Sequence, residues 1–194
     1  IMNDFGAETY WASSEIGYDF WIAKGGAVGK MYGYRSAGRY EVSDFEGYDA
    51  TSKKWILKEG VTDASAVVGT LRPGMMKLQN IDGSEDNKVT SDDREIIGDA
   101  NPLHTGGFTI NARAYGFDLS ANFNWSYGND VYNANKIEYT SSYQYYYRNM
   151  LDIMGEGKRW TNLDANGNLV NDPAQLAALN ANTTMWSPYT SYVL

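Results

Sequence analysis

Residues 82 to 93 read Asp82-Gly83-Ser84-Glu85-Asp86-Asn87-Lys88-Val89-Thr90-Ser91-Asp92-Asp93 and crowd oxygen side chains into one short stretch. Oxygens at loop positions 1, 3, 5, 9 and 12, with an apolar residue at position 8, follow the spacing of a calcium loop. Calcium collects roughly six to eight oxygens around one point, and alternate residues of a tight loop can aim them inward. The spacing predicts Asp82, Ser84 and Asp86 as side-chain ligands and Lys88 as a carbonyl ligand, with Thr90 binding directly or through water and Asp93 closing the site. Two departures stand against it. Asn87 takes the place usual for glycine, although asparagine tolerates the left-handed backbone, and Asp93 is shorter than the usual glutamate. An acidic surface loop of Asx turns, holding no ion, fits the same residues.

Catalytic chemistry is sparse by comparison. His104 is the sole histidine, and no Gly-x-Ser-x-Gly elbow, phosphate-cradling glycine loop or His-Glu-x-x-His stands near it. Glu85, Asp86, Asp92 and Asp93 could supply the paired carboxylates of a glycosidase, but they lie in a polar loop with nothing apolar to raise a pKa. The sequence therefore predicts no enzyme. With no cysteine there is no thiolate metal site, cysteine nucleophile or disulfide. A net charge of −8 and a pI near 4.6 argue against a grip on phosphate backbones. The run Tyr143-Gln144-Tyr145-Tyr146-Tyr147 and Trp160 could stack on sugar rings, or could pack one loop on another.

The elements that must carry these residues lean towards strands. Gly is frequent at 20 of 194 residues, and 16 Tyr and 6 Trp outnumber 6 Phe, a bias towards rings with an apolar body and a wet edge. Mean hydropathy is −0.50, and no apolar run approaches the ~18 residues of a membrane-spanning helix. A membrane β-barrel escapes that test, because its strands alternate and average out to polar.

Between His104 and Tyr127 two runs alternate in step around Tyr115-Gly116. Phe108, Ile110, Ala112 and Ala114 share one face of the first run, with Thr109, Asn111, Arg113 and Tyr115 on the other. In the second run Phe117, Leu119, Ala121, Phe123, Trp125 and Tyr127 oppose Asp118, Ser120, Asn122, Asn124 and Ser126. Period two sustained over both runs predicts a hairpin, and about ten residues is the length a tilted strand needs to cross a bilayer. A soluble antiparallel sheet with one wet face gives the same alternation.

The remaining segments are less regular. A strand is expected at 18–22 and another, with a bulge or bend, within 28–42. Residues 43–70 read as a polar surface loop with a small strand at Ala64-Ser65-Ala66-Val67-Val68. A helix is expected within 134–154, and Asp172-Pro173 reads as an N-cap with proline at the first helical position. The chain opens at Ile1 without a charged and apolar leader, which fits a processed product or a fragment.

An ordered series of motifs joins these pieces: Val28-Gly29-Lys30-Met31-Tyr32-Gly33-Tyr34, Leu71-Arg72-Pro73-Gly74, Asp92-Asp93-Arg94-Glu95-Ile96-Ile97-Gly98, Asn101-Pro102 and Gly106-Gly107-Phe108. Tyr115-Gly116-Phe117-Asp118-Leu119-Ser120 and Tyr127-Gly128-Asn129-Asp130-Val131-Tyr132-Asn133 complete it. The series resembles the C-terminal part of SusC/RagA-type TonB-dependent outer-membrane transporters. Against the family pattern, Met75 stands where an acid is expected and the acidic loop is two residues longer, which would make Asn80 and Asp82 its first two positions.

The resemblance implies an all-β fold, namely an antiparallel transmembrane segment of a large plugged barrel, with long extracellular loops carrying short helices. Such barrels have about 22 strands, so 194 residues would form an internal, C-terminal piece. Its parts would be a hairpin at 104–127, an acidic loop at 72–99 and a long extracellular loop at 128–194. Arg113, Asp118, Asn122 and Asn124 would then face the lumen, and Phe108, Ile110, Leu119, Phe123 and Trp125 would face lipid. The implied setting is the outer membrane of a Gram-negative bacterium. The implied partners are a SusD-like surface lipoprotein, the TonB system acting through regions outside this chain, and a glycan or peptide ligand. A secreted β-rich carbohydrate-binding module with a structural calcium loop is the competing expectation.

Overall fold

Short aromatic and β-branched runs broken by glycine favour short strands over long helices. Ten strands and three short α-helices occupy the residues that the computed structural model describes, 10–11, 19–142 and 149–188. In chain order they begin with β1 (Tyr10–Trp11), β2 (Phe20–Ala23), β3 (Lys30–Gly33), β4 (Ser36–Arg39), β5 (Phe45–Asp49) and β6 (Lys54–Leu57). Helix α1 (Ser65–Val68) precedes β7 (Met76–Leu78), β8 (Glu95–Asp99), β9 (His104–Ala114) and β10 (Phe117–Tyr127). Helices α2 (Ala134–Thr140) and α3 (Pro173–Leu179) follow. The strands form four small, largely antiparallel sheets, in the orders β1-β2-β3-β8, β9-β10, β4-β7 and β5-β6.

The chain divides into two units. The first joins Ile1–Gly33 to Ile96–Tyr132. Within it, Asn101 Nδ2 donates to the Val28 carbonyl at 2.7 Å, and the Ala100 N–H reaches the Gly29 carbonyl at 2.9 Å. The Asp130 N–H donates to the Asp99 carbonyl at 2.7 Å, and the Asp99 N–H returns to Asp130 Oδ2 at 2.9 Å. Three of the motif segments, starting at Val28, Asn101 and Tyr127, are thus laced together beside the hairpin.

The second unit joins Tyr34–Glu95 to Asn133–Leu194. Its core is Tyr40, Phe45, Ala64, Val68, Leu71, Met75, Met76, Leu78 and Val89, all buried. Water exclusion from these side chains is the main force holding short strands that have few ladder bonds of their own. The Tyr40 hydroxyl donates to the Thr62 carbonyl at 2.6 Å and accepts from the Ala64 N–H at 3.2 Å, so the buried ring leaves no polar atom stranded.

Several expectations change here. Residues 43–70 are no loop, since β5 and β6 pair as a hairpin and place Phe45 in the core. The patch at Ala64–Val68 forms a helical turn instead of a strand. Asp63 Oδ1 accepts from the Ser65 N–H at 2.8 Å in an Asx turn that bends the chain just before the helical turn. The stretch 28–42 divides into β3 and β4, which belong to different sheets. A register shift between Ser36 and Arg39 supplies the expected bulge. Helix α2 stops at Thr140, short of the expected span. Helix α3 begins as its sequence predicts, with Asp172 Oδ1 accepting from the Gln175 N–H at 2.8 Å.

Candidate functional site

The hairpin follows the alternation in its sequence residue for residue. Tyr115 and Gly116 take φ of 52° and 83°, the paired left-handed geometry of a two-residue turn whose twist matches the flanking strands. Eleven cross-strand pairs run from Phe117 opposite Ala114 to Tyr127 opposite His104. Phe108, Ile110, Leu119, Phe123 and Trp125 share one face, and Arg113, Asp118, Asn122 and Asn124 share the other.

Each face is organised across the strands. On the apolar face large side chains meet small ones, with Leu119 opposite Ala112, Ile110 opposite Ala121 and Trp125 opposite Gly106. A Cβ on Gly106 would overlap the Trp125 indole, so the ring lies where only glycine leaves room. Phe108 and Phe123 stack with centroids 4.6 Å apart. At the open end Trp125 Nε1 donates to His104 Nδ1 at 3.1 Å, and His104 stacks on Tyr127. The polar face is a ladder of partners, with Thr109 Oγ1 donating to Asn122 Oδ1 at 2.6 Å and Arg113 Nε 3.0 Å from Asp118 Oδ1.

Both faces are open. Every residue of β9 and β10 is exposed except Gly106 and Ala121, which are half-buried. An isolated two-stranded ribbon is marginal in water, and an uncovered apolar face with two free edges calls for neighbours. Each strand has eleven residues. At ~3.4 Å per residue and a tilt near 45°, such a strand spans about 26 Å, the height of the apolar band of a membrane barrel.

The acidic loop is closed by its own hydrogen bonds. Asp93 is buried, with Oδ1 accepting from the Ile81 and Asp82 N–H groups at 2.6 and 3.1 Å and Oδ2 from the Thr90 N–H at 2.8 Å. Burial alone would raise its pKa, but these donors outweigh that and hold the carboxyl below the usual range. Asp86 Oδ1 accepts from Ser84 Oγ and the Lys88 N–H, and Asp82 Oδ1 from the Ser84 N–H. Asn80 Nδ2 donates to Ser84 Oγ and to the Lys88 carbonyl, two of the oxygens assigned to an ion by the spacing. Asn87 takes φ of 54°, the left-handed turn expected at the sixth position. Val89 is buried in the core of the second unit, as an apolar eighth position requires. Among the described residues no three His, Cys, Asp or Glu side chains converge where a metal ion could sit.

A third centre surrounds Trp160, which the sequence left between sugar stacking and loop packing. Trp160 is buried, with the Gly74 backbone pressed on its ring so closely that a Cβ there would overlap it. The Arg39 guanidinium lies 4.7 Å from the ring centroid and donates to the Thr183 and Met185 carbonyls at 2.9 and 2.7 Å. Trp160 packs loops together and is almost wholly buried. Nothing local in the sequence joins Trp160 to Arg39 or Gly74, which lie far from it along the chain. Residues 143–148, which include the tyrosine run, lie outside the described residues.

Taken together, these features define a mostly β chain that carries an amphipathic hairpin of membrane-strand length and an acidic turn network. No family model matches it. Over 117 residues it is 30% identical to the TonB-dependent receptor P3 of Formosa agariphila, a match that takes in 60% of this chain and 10% of that protein. The likeness is distant and partial, and the chain spans about a tenth of that relative's length.

Proposed function

We propose that these residues form barrel wall and outer loops of a TonB-dependent transporter in the outer membrane, which imports glycans or peptides with a SusD-like surface lipoprotein. The observation that carries the reading is the hairpin, whose apolar strip and paired polar ladder are both uncovered. Phe108, Ile110, Leu119, Phe123 and Trp125 meet lipid in this reading, and Arg113, Asp118, Asn122 and Asn124 meet the water of the lumen. The partial likeness to a TonB-dependent receptor points the same way. The chain does no chemistry of its own. Energy arrives from the TonB system through other parts of the protein.

The test is the denatured mass of the native polypeptide containing these residues, taken from fractionated cells. A mass several times 21.7 kDa in the outer-membrane fraction is the expected result. A soluble species near 21.7 kDa would make the chain a free-standing module and end the proposal.

Calcium at residues 82–93 belongs to the same proposal as a strut beneath the loops. Binding would require Asp86 and Ser84 to exchange their mutual hydrogen bond for the ion. Titrating calcium into chelator-treated protein decides it. A rise in the unfolding midpoint places an ion there, and an unmoved midpoint leaves the loop to its hydrogen bonds.

A further inference from the structure

Residues 163–169 make a small hairpin of their own in the second unit. Leu163 is bridged antiparallel to Leu169, and the Asp164 N–H donates to the Asn168 carbonyl at 2.9 Å. At the tip stand Asn166 and Gly167. Gly167 takes φ of 81°, a left-handed position that suits glycine, and asparagine beside it is ordinary turn chemistry. The pair that suits the turn is also chemically weak, because asparagine is thermolabile and a glycine nitrogen has no side chain beside it to block attack. In that attack the Gly167 main-chain nitrogen gives its proton to base and bonds to Asn166 Cγ. The bond from Cγ to Nδ2 breaks, and Nδ2 leaves as ammonia with a proton from water. Water then opens the cyclic imide at either carbonyl, giving aspartate or isoaspartate. Water is consumed and ammonia released in equal amounts, and nothing is oxidised or reduced.

Asn166 and Gly167 are both exposed, and the Asn166 side chain has no hydrogen-bond partner among the described residues. The nitrogen, by contrast, is restrained. The Gly167 N–H donates to the Asp164 carbonyl at 3.0 Å, which ties up the proton that must leave. Asp164 Oδ1 accepts from the Asn166 and Asn168 N–H groups, each at 2.8 Å, and fixes the peptide groups on both sides of Gly167. Asp164 Oδ2 accepts from Asn168 Nδ2 at 3.1 Å. These donors, the Asn168 N–H first, hold the Asp164 carboxyl below the usual range, so it stays an acceptor. A left-handed glycine does not bring such restraint by itself. At Asp82-Gly83, the other pair of this kind, Gly83 takes φ of 80° and its N–H has no acceptor among the described residues.

We propose that Asn166-Gly167 is a site of spontaneous deamidation, and that Asp164 is a positioning residue that holds it shut by fixing the peptides around the attacking nitrogen. Isoaspartate at 166 would lengthen the main chain inside the turn and undo the pairing of Leu163 with Leu169.

The test is peptide mapping of aspartate and isoaspartate at position 166 while the full-length protein is incubated at mildly alkaline pH, beside a synthetic peptide of residues 161–171. The protein should deamidate at least about fivefold more slowly than the peptide, the factor that one hydrogen bond of ordinary net strength sets. Asp164→Ala should approach the peptide's rate. Asp164→Asn should stay slow, because its side-chain carbonyl still accepts from the Asn166 and Asn168 N–H groups. Slow hydrogen exchange at the β7 amides reports that the unit stays folded in each variant. Where the alanine variant loses that protection, the wild type and Asp164→Asn against the peptide decide. A wild-type rate equal to the peptide's overturns the proposal. So does a folded Asp164→Ala as slow as the wild type, or a folded Asp164→Asn as fast as the peptide.

Discussion

The hairpin and the centre around Trp160 draw on the same residue types and treat them in opposite ways. Around Trp160 the tryptophan is 2% exposed, and arginine, glycine and loop carbonyls close on it. On the hairpin Leu119 is 60% and Phe117 80% exposed, and the ring contacts of the apolar face stay within the two strands. The first region has found its cover within the chain. The second has its order fixed by eleven backbone pairs and a turn, and among the described residues nothing covers it. An apolar strip left bare along its length marks a surface that meets either lipid or other protein.

The largest effect should come from the covered region. Trp160→Ala removes a buried ring and should cost about 3 to 5 kcal/mol. Hydrogen exchange at the β7 amides of the full-length protein would read the loss, since Met76 and Leu78 lie in the same unit as Trp160. Gly74→Ala should approach the same result, because the new methyl collides with the indole and the residue sits at φ of 87°. Exchange that stayed slow in both variants would mean the centre does not hold the unit.

The uncovered region should show the next largest effect, and only in a bilayer. Phe123→Arg near mid-strand should cost about 2 to 4 kcal/mol of folding into lipid vesicles and Leu119→Arg, nearer the turn, less, whereas Asn122→Arg on the opposite face should be mild. Reversible unfolding from vesicles measures it. Equal tolerance on the two faces would turn the hairpin into an ordinary wet sheet and collapse the contrast drawn above.

The same contrast explains what the sequence made legible. The hairpin was readable to the residue, because period two and the left-handed Tyr115-Gly116 pair are local signals. The division into an apolar and a polar face follows from the same alternation. The second unit was not readable, because its core is assembled from isolated residues such as Tyr40, Phe45, Ala64, Met76 and Val89, which no window sees together. The stretch 43–70 looked like a loop for that reason. The valines of α1 favoured a strand, and only the Asx turn at Asp63, a weaker signal, spoke against it. Of the candidate site, the acidic spacing was visible. The burial of Asp93 was not, since nothing in its polar neighbours announces it.

A smaller effect belongs to that buried carboxylate. Asp93→Asn keeps an acceptor for Ile81 and Asp82 but turns an N–H₂ towards the Thr90 N–H, at a cost of about 1 to 3 kcal/mol near neutral pH. Because the folded pKa is depressed, the carboxylate's contribution is complete above the unfolded value of about 3.9 and fades as pH falls through the folded one. Protection of the Ile81, Asp82 and Thr90 amides, taken relative to their intrinsic exchange rates, should therefore fall on acidification in the wild type and change less with pH in Asp93→Asn. A wild-type profile as flat as the variant's would remove the carboxylate from the account of this loop.

The smallest effect sharpens which face of the hairpin is wet. Arg113 and Asp118 are 83% and 70% exposed, and a pair that open to water should couple by only about 0.2 to 1 kcal/mol. The double-mutant cycle Arg113→Gln with Asp118→Asn, run in vesicles and in low and high salt, measures that coupling without relying on either single variant. A small coupling that salt weakens means the polar ladder borders water, as a lumen face must. A coupling of several kcal/mol that salt leaves unchanged would mean the ladder is packed dry against other protein, because an ion pair gains that strength only where solvent is excluded. In that case the hairpin would be covered on both sides in the native protein, and its polar face would belong to a protein contact instead of a pore.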